Sequence, residues 1–233
     1  MFSSAAKKLA VDLATISATN RVAFGTQPTV TVQDVSGNTV DDSTAGITAS
    51  VSPAGALLSG SLSGSAVAGQ RVFTGLKLTG TVGSYTITYE STGLTSTSSA
   101  VTLTFGAVDH ITLVASSTAT NAVAFSTQPV ITIKDVSENT VTDSTLSIAL
   151  QSSAGTLSGT TTVNAVNGVA TFSGVGLSGS VATYQLIYTH IGLGNGLQTI
   201  ALATGDAAQV SIQVASTLVN DTVFATQPVV TIQ

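Results

Sequence analysis

Apolar and polar residues alternate in short runs, and the runs recur along the chain. Val30 and Val32 are spaced by threonine, Ile131 and Ile133 stand in a matching run, and Val230 and Ile232 in a third. A period of two marks a strand with one buried face. Each run comes after the phrase Phe-x-Thr-Gln-Pro, at Phe24–Pro28, Phe125–Pro129 and Phe224–Pro228, so the prolines lie 101 and 99 residues apart. A proline has no N–H to give to a ladder, which puts it at a strand start or on an edge. The phrase therefore predicts an internal repeat of about 100 residues, the size of one β-sandwich.

Aligning the copies extends the pattern. The strand after each proline closes on an acidic turn, Asp34-Val-Ser-Gly-Asn-Thr-Val40 in one copy and Asp135-Val-Ser-Glu-Asn-Thr-Val141 in the next. An aspartate there accepts hydrogen bonds from the backbone two residues on, and Asn38, Asn139 and Gly37 tolerate left-handed geometry. Gly69–Phe73 matches Gly168–Phe172, Leu76 and Leu78 match Val175 and Leu177, and Tyr85–Tyr89 matches Tyr184–Tyr188. Tyr85 and Tyr184 come soon after Gly80 and Gly179, a placing that suits a tyrosine corner, in which the hydroxyl bonds back to upstream backbone. Alternation puts Tyr89 and Tyr188 on the same face. Val101, Leu103 and Phe105 mark a last strand, matched by Ile200 and Leu202. Ile111 and Leu113 open the next copy, matched by Val210 and Ile212. About seven strands per copy, with turns every 8–12 residues or so and no helical period, predict an all-β chain of tandem sandwiches. The expected divisions are 7–106, 107–205 and an incomplete third copy over 206–233. The joints Gly106–Asp109 and Gly205–Ala208 are short, so neighbours are expected end to end with limited freedom.

Composition narrows the class. Only 7% of residues are charged and 43% are apolar, while 39 Thr and 30 Ser supply most of the polar surface. That balance excludes a disordered chain and suits exposed strands, where Thr packs well. With no Cys and no Trp, the immunoglobulin domain built on a disulfide packed against Trp is excluded. Net charge is −5, from 6 basic and 11 acidic residues, so there is no basic stripe for nucleic acid. No apolar run approaches the about 20 residues of a membrane span. Lys7-Lys8 could open a leader, but Asp12 interrupts the apolar run after it. The chain is expected to be part of a longer exported protein.

The string Phe125–Asp135, the Gly155-Thr-Leu-Ser-Gly159 step, Val166–Phe172 and the Gly-rich approach to Tyr184 resemble the bacterial immunoglobulin-like (Big-type) tandem repeats of large surface proteins and adhesins. The resemblance covers nearly the whole chain. Arg71, Lys77 and Glu138 (in the place of Gly37) depart from the usual small or polar choices. It implies immunoglobulin-like sandwiches end to end, an extracellular or cell-surface location, and a stalk or adhesin segment that spaces and displays other modules. Partners would be neighbouring repeats, copies of the same chain, or a surface glycan or protein.

Catalytic chemistry is poorly supplied. His110 and His190 are replaced by Gln209 and Ser91 in the other copies, and a general base needs an orienting partner. No Ser sits in a nucleophile elbow, and the Gly-rich Leu57–Gly64 stretch lacks a phosphate-loop Lys. No enzyme activity and no cofactor are expected. Calcium is the one ion the acidic loops suggest, through Asp34, Asp41 and Asp42 in one copy and Asp135, Glu138 and Asp143 in the next; turn capping is the other reading. Two or three strands cannot bury a face alone. The incomplete third copy therefore leaves a second possibility, a structural subunit of a filament, surface layer or virion that assembles by strand addition.

Overall fold

A computed structural model describes residues 5–190, 192–207, 209–213 and 229–232. Phe224 and Pro228 of the third phrase lie outside the described residues.

In the first repeat the strands are β1 (Lys8–Val11), β2 (Thr15–Thr19), β3 (Thr29–Gln33), β4 (Gly46–Ser52), β5 (Ala56–Ser59), β6 (Ser63–Ser65), β7 (Gln70–Val72), β8 (Lys77–Gly80), β9 (Gly83–Glu90) and β10 (Thr97–Thr104). They form a three-stranded sheet, β1-β3-β7, a five-stranded sheet, β2-β10-β9-β4-β6, and a small β5-β8 ribbon. The second repeat carries β11 (Val108–Val114), β12 (Thr118–Thr120), β13 (Val130–Asp135), β14 (Ser147–Ser152), β15 (Thr156–Ser158), β16 (Thr162–Asn164), β17 (Val169–Thr171), β18 (Gly176–Ser178), β19 (Thr183–Thr189) and β20 (Gly196–Ala203). Its sheets have the same order, β11-β13-β17, β12-β20-β19-β14-β16 and β15-β18. These are immunoglobulin-like sandwiches.

Ten short segments stand where seven or so strands are expected. One of the extra segments arises because the opening strand changes sheets: β1 pairs antiparallel with β3, whereas β2 pairs parallel with β10. The crossing is held at Asp12, whose N–H donates to Thr29 O at 3.1 Å and whose Oδ1 accepts the Thr29 N–H at 2.8 Å.

Alternation delivers the two cores. Val30, Val32, Ile47, Ile87 and Leu103 have no or almost no exposure, and Ile131, Ile133, Ile148, Leu186 and Leu202 repeat them. Each such side chain taken from water contributes about 1.5–3 kcal/mol before entropy is counted. At each centre a tyrosine meets a phenylalanine, Tyr89 on Phe73 at 5.2 Å between ring centroids and Tyr188 on Phe172 at 5.7 Å. Burial pushes both phenols up, Tyr89 less freely because it is bonded to Ser99.

The repeated phrase has a structural task. Phe24 and Phe125 are buried, and Gln27 spans from its own turn to the next strand. Its Nε2 donates to Phe24 O and Leu76 O, and its Oε1 accepts the Leu76 N–H at 2.8 Å. Gln128 does the same for Phe125 and Val175. The tyrosine corners are present too: Tyr85 donates to Thr81 O and Tyr184 to Ser180 O, each at 2.7 Å.

Two further strands, β21 (Val210–Gln213) and β22 (Val229–Ile232), pair antiparallel. Val210 opposes Ile232 as Ile111 opposes Ile133, so the opening strand pair of the repeat recurs in register. Here the apolar face is uncovered: Val210, Ile212, Val230 and Ile232 are 60–68% exposed.

Candidate functional site: the junction between repeats

The acidic turn that closes β13 is where the two repeats meet. Asp135 folds its own turn first. Its Oδ1 accepts the N–H groups of Ser137 at 2.8 Å and Asn139 at 2.9 Å. Asp34 does the same in the first repeat with Ser36 and Asn38. The left-handed residue in the turn is Gly37 (φ 90°) in one copy and Glu138 (φ 66°) in the other. The asparagines, left-handed candidates alongside Gly37 by residue type, instead supply side-chain bonds.

The other face of the Asp135 turn is docked on the first repeat. Oδ2 accepts the Gly106 N–H at 2.8 Å and Asn20 Nδ2 at 3.1 Å. Asn139 reaches the same end, with Nδ2 donating to Gly80 O at 2.9 Å and Oδ1 accepting the Val82 N–H at 2.9 Å. Asn20 links both sides, since it also donates to Gly80 O and accepts the Gly80 N–H. The elements that end here explain the geometry. Strands β2, β8 and β10 all finish at this end of the first repeat, just before Asn20, at Gly80 and before Gly106. Strand β13 finishes opposite them.

Asp135 is fully buried, and Asn139 and Asn20 are nearly so. Burial pushes the Asp135 carboxyl up. The Gly106 N–H, the Asn139 amide and the Asn139 and Ser137 N–H groups outweigh that and hold it below its ordinary value. The carboxylate is thus a charged hub bonded by neutral donors, and hydrogen bonds to a charged acceptor are the strong ones. Packing at the joint is close around Gly106: a Cβ there would come 3.1 Å from Asn20 O.

Phe105 takes part as well. Alternation places it on the face of Val101 and Leu103, but β10 ends at Thr104, and Phe105 packs against the second core instead. On the far side of the turn, His110 lies 3.0 Å from Asp109 and 3.2 Å from Glu138, all partly or well exposed. His190 bonds the Ser147 carbonyl through Nδ1.

The remaining candidates lie apart. Asp34 and Asp135 are engaged in their turns, while Asp41, Asp42, Asp143 and Glu138 are exposed. Among the described residues, no three His, Cys, Asp or Glu side chains gather as a metal site. Arg71 is a structural cation: it donates to Ser61 Oγ and Ser63 O and lies over the Phe73 ring at 5.4 Å.

No family model and no curated protein matches the sequence. Solved structures do match. FdeC, an Escherichia coli adhesin, aligns at 19% identity over 85% of this chain and 65% of its own, with a TM-score of 0.45. A β-glycosidase from Bacteroides vulgatus aligns at 10% identity over 85% of this chain and 25% of its own, with a TM-score of 0.39. Domains 4–9 of the surface layer protein SbsC align at 20% identity over 89% and 33%, with a TM-score of 0.35. The chain thus spans less than two thirds of each.

Proposed function

We propose that the chain is a non-enzymatic segment of a cell-surface array, a semi-rigid stalk that spaces and displays other modules. The observation that carries this reading is the buried Asp135 hub. A flexible tether needs no such joint, whereas a spacer of defined length does. Four groups of the first repeat, Asn20, Gly80, Val82 and Gly106, are bonded to the side chains of Asp135, Ser137 and Asn139 in the second. The repeats correspond to residues 7–106 and 107–205, with a third begun over 206–233. The adhesin and surface-layer structures that share the sandwich accord with an extracellular setting.

The experiment is labelling of intact source cells with an antibody to the repeats. The stalk reading expects surface label removed by external protease. Label seen only after permeabilisation overturns it.

The uncovered β21-β22 pair favours a second reading, a structural subunit that assembles by strand addition. Its apolar face, and edges that pair with no other strand among the described residues, would suit a strand from another copy. Light scattering tests this: concentration-dependent growth supports it, and a strict monomer removes it.

A further inference from the structure

The far end of the second repeat reproduces the far end of the first, group by group. Asn121, Gly179, Val181 and Gly205 stand where Asn20, Gly80, Val82 and Gly106 stand. Asn121 Oδ1 accepts the Gly179 N–H at 3.0 Å, as Asn20 Oδ1 accepts that of Gly80 at 3.2 Å. Ala122 and Arg21, the next residues, have matching left-handed φ of 61° and 64°. A Cβ at Gly205 would come 2.7 Å from Asn121 O, so the chain takes the same tight path out of both repeats.

What differs is the cover over these groups. Asn20 is buried against the Asp135 turn, whereas Asn121 is partly exposed. Val82 is 43% exposed and Val181 60%. A groove of about 480 Å³ opens among Asn121, Val123, Val181, Thr204 and Gly205. Among the described residues, the bonds that Asp135 and Asn139 make to the first repeat have no counterpart here.

We infer that this end is a socket for the Asp-x-Ser-x-Asn turn of a third repeat of the same kind. One carboxylate oxygen would take the Gly205 N–H and Asn121 Nδ2, and the turn's asparagine would bridge Gly179 O and Val181 N. The plug is built alike in both repeats: the Asp34 turn makes the same internal bonds to Ser36 and Asn38 as the Asp135 turn makes to Ser137 and Asn139. Continuity identifies the occupant. Strands β21 and β22, which follow Gly205 in the chain, form the opening strand pair of the repeat in the established register. In both complete repeats the carboxylate stands two positions after the second core residue of that strand, Asp34 after Val32 and Asp135 after Ile133. This deepens the array reading and rests on it.

The test is a chain in which residues 206–233 are replaced by a second copy of 107–205, digested with elastase, which can cut the Ala107-Val108 step at both joints. The socket predicts equal protection of the two joints. Asn121→Ala should speed cleavage at the new joint about tenfold and leave the Gly106 joint unchanged, with Asn20→Ala the mirror image. Asp135→Asn in the added copy alone should match Asn121→Ala, which covers the case in which Asn121→Ala unfolds the second repeat. If the Gly106 joint is protected and the new joint is cut freely, the socket is overturned alone. If Asp135→Ala in the original repeat leaves the Gly106 joint as resistant as before, the array reading falls with it.

Discussion

The backbone N–H of Gly106 donates to the buried carboxylate of Asp135 at 2.8 Å, across the boundary between two sandwiches. The linker and the turn of the next domain are thereby one bonded unit. Asp135→Asn places a donor where Gly106 and Asn20 already donate, leaving buried groups unpaired. It should lower stability by about 3 kcal/mol, read from urea denaturation. Asp34→Asn disturbs the turn of the first repeat and should cost about 1–2 kcal/mol, without loosening the Gly106 joint.

The same carboxylate sets an acid response. Its folded pKa lies below the ordinary value of about 3.9 for an unfolded Asp. Its contribution is therefore complete above that value and is lost as pH falls through the folded pKa. Melting temperature should fall with acid below about pH 4 in the wild type. Asp135→Asn should flatten part of that fall, and an unchanged acid slope in the variant would contradict the assignment.

The corner tyrosines should behave as a pair. Tyr85→Phe and Tyr184→Phe each remove a hydroxyl donated to a carbonyl four residues upstream. Each should cost about 1 kcal/mol in its own repeat, seen as a lower denaturation midpoint with an unchanged m-value.

Gln27 and Gln128 should matter more than their place in a surface phrase suggests. Each replaces a stretch of ladder with three bonds to backbone groups. Gln27→Ala or Gln128→Ala strands the Phe24 or Phe125 carbonyl and the Leu76 or Val175 N–H, while Leu76 O and Val175 O keep the Phe24 and Phe125 N–H, and should cost about 2 kcal/mol by the same denaturation measurement.

Much of this fold is legible in the sequence because a period of two is local. Val30 and Val32, Ile131 and Ile133, and the Tyr85 and Tyr184 corners all lie where alternation and spacing put them. The junction is only half legible. The Asp135 turn can be read from five adjacent residues, yet its partners Gly106 and Asn20 lie 29 and 115 positions away. Contacts between repeats leave no period behind. Phe105 shows the same limit: its alternation continues β10, but the strand ends one residue earlier and the ring crosses to the next core. Acidic residues near one another in sequence suggest calcium, whereas the turn directs Asp135 to N–H donors, Glu138 faces His110 and Asp143 is exposed. The signal that could have found the socket is the recurrence of Asn20, Gly80, Val82 and Gly106 as Asn121, Gly179, Val181 and Gly205.

The central claim is that the two repeats move as one body through the Asp135 hub. Residual dipolar couplings of backbone N–H groups, measured for both repeats in one alignment medium, test it most directly. A single alignment tensor should fit both repeats in the wild type, and two tensors of different magnitude should be needed in Asp135→Ala. Two different tensors in the wild type would contradict the account.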